Sequence, residues 1–235
     1  MRSTQYFQQG ASTDFASFFG DSKRLRLLQY VLPNIHLSQR NLGRPLKILD
    51  VGAGTGMHAA YFAKMGHEVT AVDPVLEMLL EGKKRYHHSN LNFLVDSLPK
   101  LEKLENRQFD VIYSIAAWQY VKPNDRQDSM DRITKLLAPG GIIVIVWPVP
   151  LSREFQFSLS HEDLSRTIDV VNKKLPLEQH IQITQGQPIV DPDGRMSFTE
   201  PSKKVFFHTI VARLPDVILH HHLSDSVGLH HRSKL

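Results

Sequence analysis

Three alternating glycines, in the stretch ILDVGAGTGMH over residues 48–58, are the feature of this sequence that most directly suggests chemistry. An apolar run precedes them and a helix-like pattern follows. Glycines at such a junction let a ligand reach the backbone, and the free N–H groups at the start of a helix attract anions and nucleotides. The stretch therefore predicts a nucleotide-binding turn between a strand and a helix.

Glycine spacing alone does not decide which nucleotide the turn binds. A nicotinamide dinucleotide site uses Gly-x-Gly-x-x-Gly. When the pattern starts at Gly52, its third glycine falls at Met57; when it starts at Gly54, the third glycine falls at Ala59, which the pattern tolerates. A nicotinamide-dependent oxidoreductase therefore stays open at this point.

Acidic residues close the next two predicted strands. Asp73 ends the strand 68–73, and Asp96, followed by Ser97, ends the strand 91–96. In open α/β sheets, ligands bind outside the carboxyl ends of the strands. We therefore expect these carboxylates near the glycine turn, where they can accept hydrogen bonds from hydroxyl or amino groups.

Apolar runs alternate with helical patterns along the chain, which is typical of βαβ units. We predict strands at 46–51, 68–73, 91–96, 109–116 and 141–147, and helices at 56–66, 75–86, 124–137 and 160–175. Strand-like segments at 180–190 and 204–214 flank an Asp-Pro-Asp-Gly turn and predict an antiparallel pair. The predicted fold class is α/β: a Rossmann-like, seven-stranded, mostly parallel sheet with helices on both faces and a C-terminal antiparallel strand pair.

Composition narrows the class of protein. Apolar residues make up 41% and charged residues 22% of the 235 residues, which predicts a globular core. Cysteine is absent, which excludes disulfides and thiolate chemistry and suits a reducing compartment. The net charge of +4 comes from dispersed Lys and Arg residues. That pattern favours a solvated surface over a nucleic-acid-binding face.

Targeting signals are weak. No apolar run reaches the length of a membrane span, and the N-terminal stretch lacks the apolar core of a signal peptide. We expect a cytoplasmic protein without membrane association. The final Ser-Lys-Leu would suggest a peroxisome only in a eukaryote.

Several motifs in order resemble class I S-adenosylmethionine-dependent methyltransferases, in particular small bacterial ones of unassigned substrate. LDVGAGTG resembles their first motif, and AVDP carries their acidic residue after the second strand. FDVIYSIAAWQYV and LLAPGGIIVIVW resemble their fourth-strand motif and the turn and strand after it. The resemblance covers about residues 45–148.

The resemblance implies S-adenosylmethionine as cofactor and S-adenosylhomocysteine as product. Asp73 matches the residue on the ribose hydroxyls, and Asp96 with Ser97 matches the pair that contacts adenine. Asp50 matches a residue near the methionine portion, and it can also fix the loop by accepting backbone N–H groups. The implied cofactor contacts are Asp50, Gly52, Ala53, Gly54, Gly56, Asp73, Pro74, Asp96, Ser97 and Ile115.

The residues that contact the methyl acceptor are harder to predict. Because this cofactor is already activated, the protein mainly positions the reactants, and no catalytic base is identified. His58, Trp118, Tyr120 and Arg195 are the predicted acceptor contacts. The alternatives are a helix-terminal contact for His58, a core position for Trp118 and a solvated side chain for Arg195.

These motifs predict one methyltransferase domain over 1–214, whose residues 1–40 form a helical cap region, and a polar, His-rich tail over 215–235. No metal site is predicted. The predicted activity is methyl transfer to a small molecule; RNA, in particular tRNA, is the alternative acceptor. A nicotinamide-dependent oxidoreductase or a non-catalytic nucleotide-binding module is the alternative of a different class. The acceptor and the oligomeric state are not predicted.

Overall fold

The computed structural model describes residues 28, 31–150, 161–174, 182–185 and 205–214. The α-helices are α1 (Leu32–Leu42), α2 (Met57–Lys64), α3 (Leu76–Arg85), α4 (Arg126–Leu136) and α5 (His161–Lys174). The strands are β1 (Lys47–Val51), β2 (Glu68–Asp73), β3 (Leu91–Val95), β4 (Phe109–Ile115), β5 (Leu137–Pro150), β6 (Gln182–Gln185) and β7 (Val205–Arg213). Short 3₁₀ turns lie at Glu102–Leu104, Trp118–Tyr120 and Pro123–Asp125.

The described strands form one sheet in the order β3-β2-β1-β4-β5-β7-β6. β1 pairs in parallel with β2 and β4, β2 with β3, and β4 with β5. β7 runs antiparallel to both β5 and β6. The predicted fold class, with its antiparallel C-terminal pair, is confirmed. Strand order reverses between β1 and β4, which is where open α/β sheets bind ligands.

Helices cover both faces of the sheet, so the central strands are buried on both sides and read as continuous apolar runs. Ile48, Val111 and Val144 pack into the core on one face, together with residues of α1 and α2. Their neighbours Leu49 and Ile112 pack into the core on the other face with residues of α4 and α5, because successive side chains of a strand point to opposite sides.

Some local predictions are wrong. Helix α4 ends at Leu136 and the chain passes directly into β5, which begins at Leu137 and not at the predicted residue 141. Gly140 adopts a φ of 71° near the start of β5. Asp125 precedes α4, but its side chain makes no capping hydrogen bond. The predicted Asp-Pro-Asp-Gly turn and the tail lie outside the described residues.

The amino ends of β1 and β4 are joined by one carboxylate. Asp110 accepts hydrogen bonds from the Arg44 guanidinium at 2.8 Å through both oxygens, and from the backbone N–H of Lys47 at 2.8 Å. This pair lies at the end of the strands opposite to the glycine turn.

No helix within the described part of the chain is long and apolar enough to cross a membrane. The predicted limits of the domain, the cap region and the tail stay predictions.

Candidate functional site

The glycine turn connects β1 to α2, as predicted. Gly52, Gly54 and Gly56 have φ values of 78°, 57° and 74°. This left-handed region costs other residues about 1–2 kcal/mol, so all three positions favour glycine on backbone grounds alone. The turn is also fixed to the end of β2, because the N–H groups of Gly52 and Ala53 donate to the Val72 carbonyl at 2.8 and 2.9 Å.

Protein neighbours, and not only a ligand, exclude side chains from this turn. A Cβ on Gly52 would lie 2.2 Å from the Cβ of Ala117, and a Cβ on Gly56 would lie 2.4 Å from the ring of Phe93. A Cβ on Gly54 would meet only the flexible tip of Met78, at 3.3 Å. Ligand access is therefore an incomplete explanation for Gly52 and Gly56.

Asp73 lies at the carboxyl end of β2 and contacts the glycine turn directly. Its Oδ2 accepts from the N–H of Gly54 at 2.8 Å, and its Oδ1 accepts from the N–H of Val75 at 2.9 Å. Burial raises the pKa of this carboxyl, while the two backbone hydrogen bonds oppose the rise. A carboxylate has about four acceptor sites, so Asp73 keeps acceptor capacity for a ligand.

Asp96 follows β3 beside Asp73, and its N–H donates to the Asp73 carbonyl at 3.4 Å. Its two carboxylate oxygens accept from the N–H groups of Ser97 and Lys103, each at 2.8 Å. Asp96 therefore fixes the loop after β3, and as a half-buried carboxylate it also has acceptor sites left. Ser97 and Pro74 are exposed beside these two carboxylates.

Asp50, near the end of β1, is buried below the glycine turn. Its Oδ2 accepts from the Tyr113 hydroxyl at 2.9 Å, and the backbone N–H of Ala59 in α2 is a further partner. Burial, reinforced by the negative charge of Asp73, raises the pKa of Asp50 to about 7, although both hydrogen bonds oppose that rise.

The raised pKa of Asp50 predicts a pH-dependent effect on stability. Between about pH 4 and pH 7 the unfolded chain ionises this carboxyl while the folded protein keeps it protonated, so folding loses stability as pH rises through that window. Asp50→Asn removes this cost. We expect the Tm of the variant, relative to the parent, to rise by about 5 °C between pH 5 and pH 8 in scanning calorimetry. An equal Tm difference at both pH values would contradict this.

The loop after β4 lies against the glycine turn. Ile115 is buried at the end of the strand, Ala116 has a φ of 54°, and Ala117 is the residue that faces Gly52. Trp118 is 0% exposed, and its indole N–H donates to the Thr167 hydroxyl at 3.3 Å. The structure therefore places Trp118 in the core, which corrects its prediction as an acceptor contact, whereas Tyr120 is 37% exposed.

The remaining predicted acceptor contacts are only partly described. His58 lies half-buried in the first turn of α2, directly after the glycines. Arg195 lies outside the described residues. Among the side chains that the structure does describe, no group of three His, Asp or Glu residues could hold a metal ion.

Three residues of this site are not among the contacts that the sequence predicts: Tyr113, Phe93 and Ala117. A tyrosine within a strand predicted to be buried needs a hydrogen-bond partner for its hydroxyl, which is the hint available for Tyr113. Phe93 and Ala117 contact the glycines through the sheet order, which the sequence pattern does not specify at residue level.

Comparison with known proteins agrees with this geometry. Residues 48–141 match a family described as a methyltransferase domain. An uncharacterized methyltransferase of Mycobacterium bovis is 32% identical over 99 residues, which is 42% of this chain and 49% of that protein. A ubiquinone biosynthesis O-methyltransferase of Rickettsia typhi is 29% identical over 121 residues, which is 50% of this chain and 47% of that protein. The chain thus spans about half the length of these relatives.

Solved structures share the fold. A putative sarcosine dimethylglycine methyltransferase from Galdieria sulphuraria superposes with a TM-score of 0.57 at 15% identity, over 79% of this chain and 86% of that one. A Haemonchus contortus phosphoethanolamine N-methyltransferase in complex with S-adenosylmethionine gives a TM-score of 0.56 at 17% identity, over 78% and 53% of the two chains.

The fold of this chain is therefore similar to that of S-adenosylmethionine-dependent methyltransferases of known structure, and residues 48–141 are similar to a methyltransferase domain.

Proposed function

We propose that this protein transfers the methyl group of S-adenosylmethionine to a small-molecule acceptor. The observation that carries the proposal is the hydrogen bond from the Gly54 N–H to the Asp73 carboxylate, 2.8 Å long. It joins the glycine turn to an acidic residue at the carboxyl ends of β1 and β2, beside the point where strand order reverses.

The residues present fit this cofactor. The backbone of Gly52, Ala53, Gly54 and Gly56 would face its methionine and ribose portions, and Asp73 with Pro74 would hold the ribose hydroxyls. Asp96 and Ser97 would contact the adenine, and Ile115 would be a further contact of the cofactor. Asp50 supports the same turn from below. The unused acceptor sites on Asp73 and Asp96 support these roles, because the ribose hydroxyls and the adenine amine are donors.

Bound S-adenosylmethionine supplies a methyl group that is already activated as a sulfonium. The task of this chain is therefore to hold the cofactor, align the acceptor and exclude water. A protein base is needed only when the acceptor must lose a proton. His58 and Tyr120 are the described residues proposed to face the acceptor, and Arg195 is a further proposal.

The distribution of charged residues along the chain favours a small-molecule acceptor over RNA. The Lys and Arg residues are dispersed along the chain and the net charge is only +4. Nucleic-acid binding depends on a concentrated basic face. The relatives named above as O- and N-methyltransferases of small molecules point in the same direction.

Calorimetric titration with S-adenosylmethionine, S-adenosylhomocysteine and NAD tests the proposal. We expect micromolar affinity for the first two ligands and no heat of binding for NAD. Tritium transfer from labelled S-adenosylmethionine to pooled small amines, phenols and carboxylic acids then identifies the acceptor class. Binding of NAD, or binding of none of the three ligands, would contradict the proposed function.

A further inference from the structure

Tyr113 lies on β4 and is not among the predicted cofactor contacts, although its side chain contacts Asp50 near the glycine turn. It lies directly opposite Asp50 in the parallel pairing of β1 and β4. Its hydroxyl donates to Asp50 Oδ2 at 2.9 Å. The tyrosine is 0% and the aspartate 2% exposed, so water does not compete for this hydrogen bond.

Asp50 connects Tyr113 to the start of α2, directly after the glycine turn. Its carboxylate is also bonded by the backbone N–H of Ala59, within the first turn of α2, which begins directly after Gly56. The Tyr113 ring additionally packs edge-on against Phe62 of the same helix, with 5.5 Å between ring centroids. β4, β1 and the start of α2 are therefore joined through one buried carboxylate.

Burial and three neighbouring groups determine how readily Asp50 ionises. Tyr113 on β4 and the N–H of Ala59 on α2 favour the carboxylate, whereas Asp73 on β2 and burial disfavour it. Burial and the neighbouring Asp50 raise the pKa of the Tyr113 hydroxyl well above its ordinary value, so this hydroxyl keeps its proton near neutral pH and donates to Asp50. Removal of the hydroxyl therefore removes a donor that stabilises the ionised form of Asp50.

We propose that Tyr113 is a positioning residue for the cofactor site: its hydroxyl keeps Asp50 an anchored carboxylate that supports the start of α2 and the glycine turn. A negative charge at this position favours a cationic cofactor such as S-adenosylmethionine. This inference rests on the proposed function, because it assumes that the turn binds that cofactor.

The test is the affinity for S-adenosylmethionine of the parent and of Tyr113→Phe, measured by calorimetry from pH 6 to pH 9. In the parent, we expect affinity to fall as pH falls through about 7, where Asp50 takes up a proton. In Tyr113→Phe, we expect that fall to move up by about one pH unit. The variant then binds roughly fivefold more weakly at pH 7 and equally well at pH 9. The amino group of the cofactor titrates in the same range, but identically for both proteins.

Two further variants make the outcome decisive. Tyr61→Phe removes a tyrosine hydroxyl from α2 without touching Asp50 and should reproduce the parent profile. Asp50→Asn should give weak binding that lacks the fall near pH 7 caused by protonation of Asp50 and keeps only the contribution of the cofactor's amino group. If Tyr113→Phe does not fold, Asp50→Asn still tests the inference. A pH dependence of affinity equal to that of the parent would then overturn it.

The outcomes separate this inference from the proposed function. Identical profiles of the parent and Tyr113→Phe, or a loss of affinity that is uniform across pH, would overturn the positioning role while leaving cofactor binding intact. If the parent itself does not bind S-adenosylmethionine, both the proposed function and this inference fail.

Discussion

Asp73→Asn is expected to weaken S-adenosylmethionine binding by about 100-fold, the largest effect of any single side chain in this site. The carboxylate already accepts from the N–H groups of Gly54 and Val75 and is proposed to accept from the ribose hydroxyls as well. An amide has only one acceptor oxygen, so a backbone N–H or the ribose loses its partner. A hydrogen bond to a charged group contributes about 1.5–3 kcal/mol, and 2.7 kcal/mol corresponds to about 100-fold.

Calorimetry with S-adenosylmethionine and S-adenosylhomocysteine measures this loss, which should be similar for both ligands because they share the ribose. Asp110→Asn is the matched control. Asp110 is also a buried aspartate on a strand that accepts from a backbone N–H, but it lies at the opposite end of the sheet. It should lower the Tm and leave the affinity unchanged. An Asp73→Asn affinity within twofold of the parent would exclude the proposed ribose contact.

Gly52→Ala is expected to lower the free energy of unfolding by about 2–5 kcal/mol, and to weaken cofactor binding through the same displacement of the turn. A φ of 78° costs an alanine about 1–2 kcal/mol. The new methyl group would also lie 2.2 Å from the Cβ of Ala117, and such overpacking costs about 1–3 kcal/mol. Urea denaturation measures the change in stability.

Two variants separate the backbone cost from the steric cost. Gly43→Ala has a similar φ of 63° and no atom within 4 Å of the added Cβ, so it should cost only the backbone part. The double variant Gly52→Ala with Ala117→Gly removes the colliding methyl group and should regain stability relative to Gly52→Ala alone. If Gly52→Ala costs no more than Gly43→Ala, the contact with Ala117 is not what constrains this turn.

The sequence alone determines the local elements of the site. Period-two and unbroken apolar runs predict β1, β2 and β4 to within a residue or so, because a strand buried on both faces needs apolar side chains along its length. The glycine turn is also local, since positive φ angles at residues 52, 54 and 56 require glycine regardless of what surrounds them. Asp73 can be located in the same way, as the acidic residue that ends a mostly apolar strand.

Only the tertiary structure decides which residues meet across the sheet. Tyr113 reaches Asp50 and Ala117 reaches Gly52 because β4 pairs with β1, although 63 residues separate the first two in the chain. Trp118 follows a strand end where a pocket residue is expected, but the packing of α5 against that loop makes it a core residue. Local patterns specify how each segment folds, whereas strand order and helix packing set the contacts between distant segments, and those contacts are what hold the turn and the charge of Asp50 in place.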